Sequence, residues 1–122
     1  MKRYKKFYLT LILTLFLTVT GFAQQFLIKG DIDCGSWVNA RKNKTAVNYE
    51  GNLIGLLNGM SAGSGVSFWD AKGNALTFEQ VNLWMDNYCL KNPLSTTFKG
   101  ADELMNEHTG GQFRKSWQKL FK

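Results

Sequence analysis

Two cysteines, Cys34 and Cys89, constrain this chain more than any other feature, and what they mean depends on the segment before them. The chain opens MKRYKKFYLTLILTLFLTVTGFAQQ. Lys2, Arg3, Lys5 and Lys6 form a basic head, and residues 7–20 form an uncharged, largely apolar run. Gly21-Phe22-Ala23 then places small residues where a signal peptidase reads them. The run falls short of the roughly 20 residues of a membrane span. A secretory signal over 1–23, cleaved after Ala23, is therefore expected, with an uncleaved anchor as the alternative. No cysteine follows the run, so lipid attachment is not expected. In an oxidising compartment such as the periplasm, two cysteines read as one disulfide. Two buried free thiols are the alternative. Closing a loop of 55 residues would contribute ~4 kcal/mol on the chain-entropy account, a large share of a small domain's stability.

Removing the leader changes the electrostatics. Four of the 15 basic residues and none of the 9 acidic ones lie in it, so residues 24–122 carry 11 against 9, a net charge of +2 rather than +6. The basic pI belongs mostly to the leader and gives no support to nucleic-acid binding. The remaining 99 residues make one domain by length, with a thin stability margin for that size.

Hydrophobic spacing is helical almost throughout. Residues 24–30 contain the short run Phe26, Leu27, Ile28, either a strand or an arm packing on the body. Asp33 or Ser36 can cap a helical turn through Trp37 to Arg41, and residues 42–48 read as a polar connection. In GNLIGLLNGMSAG, Tyr49, Leu53, Leu56, Leu57 and Met60 share one face, while Gly51, Gly55, Gly59 and Gly63 fall on an adjacent strip. Four interior glycines cost ~3 to 4 kcal/mol relative to alanine, so a helix at 47–63 is expected to be crossed closely by a neighbour on that strip. Glu50, Asn52, Asn58 and Ser61 speak against a membrane helix there. Residues 64–76 read as a loop. Thr77 with Gln80 makes a capping box for a helix that carries Phe78, Val81, Trp84, Met85, Tyr88 and Cys89 on one face and ends at Asn92-Pro93. Ser95, Thr96 or Thr97 starts another, carrying Phe98, Ala101, Leu104 and Met105, and Gly110-Gly111 stops it. The segment 112–122 is a basic amphipathic tail in which Phe113, Trp117, Leu120 and Phe121 recur at helical spacing. The fold class is all-α, a small disulfide-linked bundle of about four helices occupying 24–122.

Catalytic residues are sparse. His108 is the single histidine and reads as a solvated residue at a helix end, favoured there by the helix dipole. The cysteines are committed to the bridge, zinc lacks a ligand cluster, and Asp31 with Asp33 offers too few oxygens for calcium. Glu79 and Asp86 read as a solvated polar face. A non-enzyme without cofactor or metal is expected. Binding has a better candidate in the loop tip Phe68-Trp69-Asp70, two aromatics and an acid between glycines, because aromatics in exposed loops often carry interface energy. The alternative is that these aromatics fold back on the core. The tail could meet an acidic partner or an anionic membrane, or dock on its own domain.

Three stretches carry a family resemblance. Cys34-Gly35-Ser36-Trp37-Val38-Asn39-Ala40-Arg41, Tyr49-Glu50 leading to Leu53-Ile54-Gly55-Leu56-Leu57-Asn58-Gly59, and Trp84-Met85-Asp86-Asn87-Tyr88-Cys89-Leu90-Lys91-Asn92-Pro93-Leu94 resemble the HdeA-like small exported bacterial proteins, which include the Rap/Tai immunity proteins of type VI secretion. The similarity spans roughly residues 34–107, and its most specific part is the Gly-rich helix paired with the Tyr88-Cys89…Asn92-Pro93 end. It implies a periplasmic helical bundle pinned by Cys34–Cys89 whose activity is binding. Immunity proteins of this group neutralise cell-wall amidase toxins through a protruding loop, for which 64–76 is the nearest candidate by position. HdeA itself is an acid-activated chaperone, the alternative role. The expected partner is another protein, with no nucleic acid and no stable membrane span after cleavage; a homodimer is compatible with this.

Overall fold

The structure, a computed structural model, describes residues 30–120 and 122. The leader at 1–23, the run Phe26, Leu27, Ile28 and the tail residue Phe121 lie outside the described residues. Five helices follow one another: α1 Cys34–Lys42, α2 Val47–Ser64, α3 Phe78–Lys91, α4 Thr97–His108 and α5 Gln112–Lys119. The described residues contain no β-strand, so the all-α disulfide-linked bundle holds. The fifth helix arises at the start, where the expected turn through Trp37 extends to nine residues.

Local chemistry sets the helix ends. The Asp33 carboxylate caps α1 by accepting from the Ser36 amide at 2.8 Å and the Ser36 hydroxyl at 2.7 Å. Those bonds hold the Asp33 carboxyl below its ordinary range. At α3 the capping box forms in full, with the Thr77 hydroxyl accepting from the Gln80 amide and the Gln80 side chain accepting from the Thr77 amide. Thr96 caps α4. Gly110 and Gly111, at φ 61° and 84°, take left-handed conformations that side-chain-bearing residues avoid, and so turn the chain between α4 and α5. Thr109 steadies that turn from inside: its buried hydroxyl donates to the Met105 carbonyl at 2.7 Å and accepts from the Phe113 amide at 3.1 Å.

Packing follows the apolar faces. α1 lies on α3, α3 on α4, and α2 on both α4 and α5. Trp37, Leu53, Leu57, Met85, Met105 and Phe113 fill the centre, each fully buried or nearly so. Removing one such leucine side chain typically costs ~2 to 5 kcal/mol. The Cys34–Cys89 bond joins the first residue of α1 to the last turn of α3, with 4.8 Å between the Cα atoms. Beside it the backbone is laced to the start of α4: Cys34 N donates to Ser95 O and Thr97 N to Ile32 O, making an antiparallel bridge between Asp33 and Thr96.

Two expectations about packing need correction. No described atom lies within 4 Å of where a Cβ would stand on Gly51, Gly55 or Gly59, and all four glycines of the strip are exposed. Only Gly63 has a neighbour, the Trp117 ring at 3.8 Å. The strip is therefore not crossed by another described helix. The tight crossing lies instead at Gly100 of α4, where a Cβ would stand 2.7 Å from the Met85 sulfur. Phe78, expected on the apolar face of α3, is 58% exposed at the first residue of the helix, where its ring meets Trp69 of the preceding loop and not the core.

Candidate binding surfaces

The loop after α2 is an ordered structure. Phe68 is fully buried, with its ring edge-on to Trp69 at 5.0 Å and to His108 at 5.5 Å. It anchors the loop from within, which corrects its expected place at a contact. Trp69 is half-buried: its indole N–H donates to the Asn58 side-chain oxygen at 2.6 Å, and its ring meets Phe78 at 5.4 Å. Asp70 is exposed and accepts from the Ser67 hydroxyl. The loop closes through Leu76 N to Trp69 O at 2.7 Å, and the His108 ring nitrogen meets the Asn74 carbonyl at 3.2 Å. His108 thus docks the loop on the end of α4. Of the three candidates, Asp70 and one edge of Trp69 reach solvent. Trp69→Ala should accordingly destabilise the domain by ~2 kcal/mol in denaturant titration, since it deletes ring packing and leaves Asn58 without its donor.

A second cluster was missed from the sequence. Asp86, expected on a solvated face, accepts from the Trp37 indole N–H at 2.8 Å and is gripped by Arg41 through Nε at 2.9 Å and Nη2 at 2.9 Å. Arg41 also pairs through Nη1 with Glu50. Hydrogen bonding to Asp86, reinforced by Glu50, holds the Arg41 guanidinium above its ordinary value. One arginine thus ties together α1, α2 and α3, and two of the nine acids become structural. The forked geometry suits arginine, which offers paired donors to a carboxylate. With both carboxylates engaged by one cation, the site resembles a clamp more than an acid–base pair. Among the described residues no group of His, Cys, Asp and Glu could hold a metal ion.

Two apolar surfaces remain open. On α3, Leu83 and Leu90 stand seven residues apart on the side away from the core, 59% and 65% exposed, and Leu94 just beyond the helix is 100% exposed. Leu90 lines one depression with Val38, Arg41, Lys42 and Asp86, and a neighbouring one with Val38, Lys42 and Pro93 above the disulfide. The signal was present in the sequence, because these leucines fall off the apolar stripe that Val81, Met85 and Tyr88 define. The other surface is a groove floored by Gly55, Leu56 and Gly59 and walled by Phe98, Phe113 and Trp117. Its near end is lined by Gly30, Asp31, Asn52 and Thr97. No helix among the described residues is long and apolar enough to cross a membrane. Compared with known proteins, the chain matches no family model, no curated protein and no solved structure.

Proposed function

We propose that this chain is an exported, non-catalytic protein that binds another protein through the leucine face of α3, in the manner of the HdeA-like immunity proteins it resembles. The observation that carries this reading is the exposure of Leu83, Leu90 and Leu94 along a helix locked to α1 by the disulfide and the Arg41 clamp. A domain this small gains little from leaving three leucines in water, and exposed apolar patches rimmed by polar residues mark interaction sites. Lys42 and Lys91 flank Leu90 and are exposed, so the fitting partner presents an apolar patch with an acidic rim. Rigid presentation favours binding because little ordering is required on association. In the immunity reading the partner is a cell-wall amidase, and loop residues Trp69 and Asp70 form a second contact at the α3 N-terminus.

The test is affinity capture from periplasmic extract, identification of the partner, and calorimetry with the purified partner. Leu90→Asp should weaken binding at least tenfold and leave the melting temperature nearly unchanged, since Leu90 is exposed. Equal affinity of Leu90→Asp and parent would reject the leucine face. Inhibition of a captured amidase would support the immunity role, and a captured partner without such activity would reject it.

A further inference from the structure

Where the leucine face of α3 meets α1, the surface has a shape that narrows what can bind there. The pairings of Cys34 with Cys89 and of Trp37 with Asp86 run in opposite senses along the two helices, so α1 and α3 lie antiparallel. Val38, Lys42 and Leu90 line two adjoining depressions in common. One, of about 360 Å³, also takes in Arg41 and Asp86. The other, of about 280 Å³, also takes in Asn39, Pro93 and the disulfide. Together they form a groove along α1, whose nine residues span about 13 Å.

We propose that the partner enters this groove as an acidic amphipathic α-helix, with apolar side chains in the two depressions beside Leu90 and carboxylates facing Lys42 and Lys91; this rests on the reading that the leucine face binds a protein. Charge selects the acidic partner. Asp86 is the acid that lines the groove, and it is already held by Arg41 and the Trp37 indole, so its charge is met within the domain. Lys42 and Lys91 are exposed, and neither pairs with a carboxylate among the described residues. The groove therefore combines an apolar lining with an unneutralised positive margin. A basic partner would set like charges against each other, which costs binding, whereas an acidic one is steered in.

Shape selects the helix. Enclosed sites for small molecules run from about 300 to 1,000 Å³. These two depressions lie at or below that lower limit and are shallow, which suits single side chains of a larger body. An extended segment would need a strand edge to pair with, and the described residues contain no β-strand. Two helices packed side by side instead present a furrow into which the ridge of a third helix fits, and a helix seated so reads as apolar anchors at i, i+3, i+4 and i+7. The walls are also fixed in advance. The disulfide joins them at one end, and the bonds from Trp37 and Arg41 to Asp86 join them further along, so little ordering of the groove is needed on binding.

The probe is a synthetic helix of roughly 15 residues, long enough to hold its own turns, with leucine at i, i+3, i+4 and i+7 and glutamate on either side of that stripe. Titrated into the 15N-labelled protein, it should shift the amide resonances of Val38, Asn39, Lys42 and Leu90 and leave those of Gly59 and Trp69 in place. Lysine in place of the glutamates should weaken binding at least tenfold, with the gap closing in molar salt. A central proline in the acidic peptide should weaken it as much. Asn39→Trp fills the groove from an exposed position and should abolish the shifts without moving the melting temperature, whereas Asn48→Trp, equally exposed and off the groove, should not. No shifts, shifts centred elsewhere, or equal binding of the acidic, basic and proline peptides would overturn the proposal. If the peptide fails while Leu90→Asp still releases a captured partner, the groove helix falls and the leucine face stands. If Leu90→Asp changes neither, both fall.

Discussion

Replacing both cysteines by alanine is expected to lower the melting temperature by roughly 15–30 °C. The bond closes 55 residues, and the chain-entropy account assigns such a loop ~4 kcal/mol. For a domain of this size each kcal/mol moves the midpoint by about 4–8 °C. Position adds to the argument. The bond lies at the junction where α1, the end of α3 and the start of α4 converge, and the lacing of Cys34 N to Ser95 O and Thr97 N to Ile32 O depends on the same alignment. Both sulfurs are buried, so a mild reductant added to the folded protein should act slowly, because exchange needs access of a thiolate to the bond. Reduction under denaturing conditions followed by refolding should reproduce the low melting temperature of the alanine pair. A double-alanine variant that melts within a few degrees of the parent would show that the helices hold this junction unaided.

How much of this was legible depended on how local the cause is. The capping box at Thr77 and Gln80, the stop at Asn92-Pro93 and the glycine pair at 110–111 act within a turn of the backbone, and each ends a helix where the sequence suggests. The apolar stripe of α2 predicts its bounds to within a residue. What lay out of reach depends on contacts between residues far apart. Asp86 looks like any acid on a polar face until Trp37, 49 residues away, and Arg41, 45 residues away, converge on it. Phe68 sits among glycines and polar residues, which reads as an exposed tip. Its burial is decided by the end of α4, where His108 and the loop meet. Exposed leucines at 83, 90 and 94 are visible in the sequence only as departures from a stripe, and a departure does not say what covers it.

The sharpest reversal concerns glycine, and it yields the second large expected effect: Gly100→Leu should destabilise the domain by ~3 kcal/mol or more. A periodic strip in α2 drew attention to itself, whereas Gly100 stands alone between Lys99 and Ala101 and belongs to no pattern. Yet Gly100 is buried where α4 crosses α3. A Cβ there would stand 2.7 and 2.8 Å from the Met85 sulfur and methyl and 2.9 Å from the Tyr88 ring. Met85 has a flexible tip but no exposed side on which to move it, and Tyr88 is fixed by its hydroxyl, 2.7 Å from that of Ser95. Helix propensity pulls the other way, since alanine is the better helix former by ~1 kcal/mol. The clash prevails for alanine too, leaving Gly100→Ala destabilising by ~1 kcal/mol. Gly51 supplies the contrast within the same protein. It is exposed, and no described atom lies near its would-be Cβ, so Gly51→Ala should stabilise by ~0.5 to 1 kcal/mol. Denaturant midpoints of the three variants decide the matter. Opposite signs for the two alanines would place the tight crossing at Gly100, while a Gly100→Leu variant as stable as the parent would mean that α3 and α4 lie further apart than the structure has them.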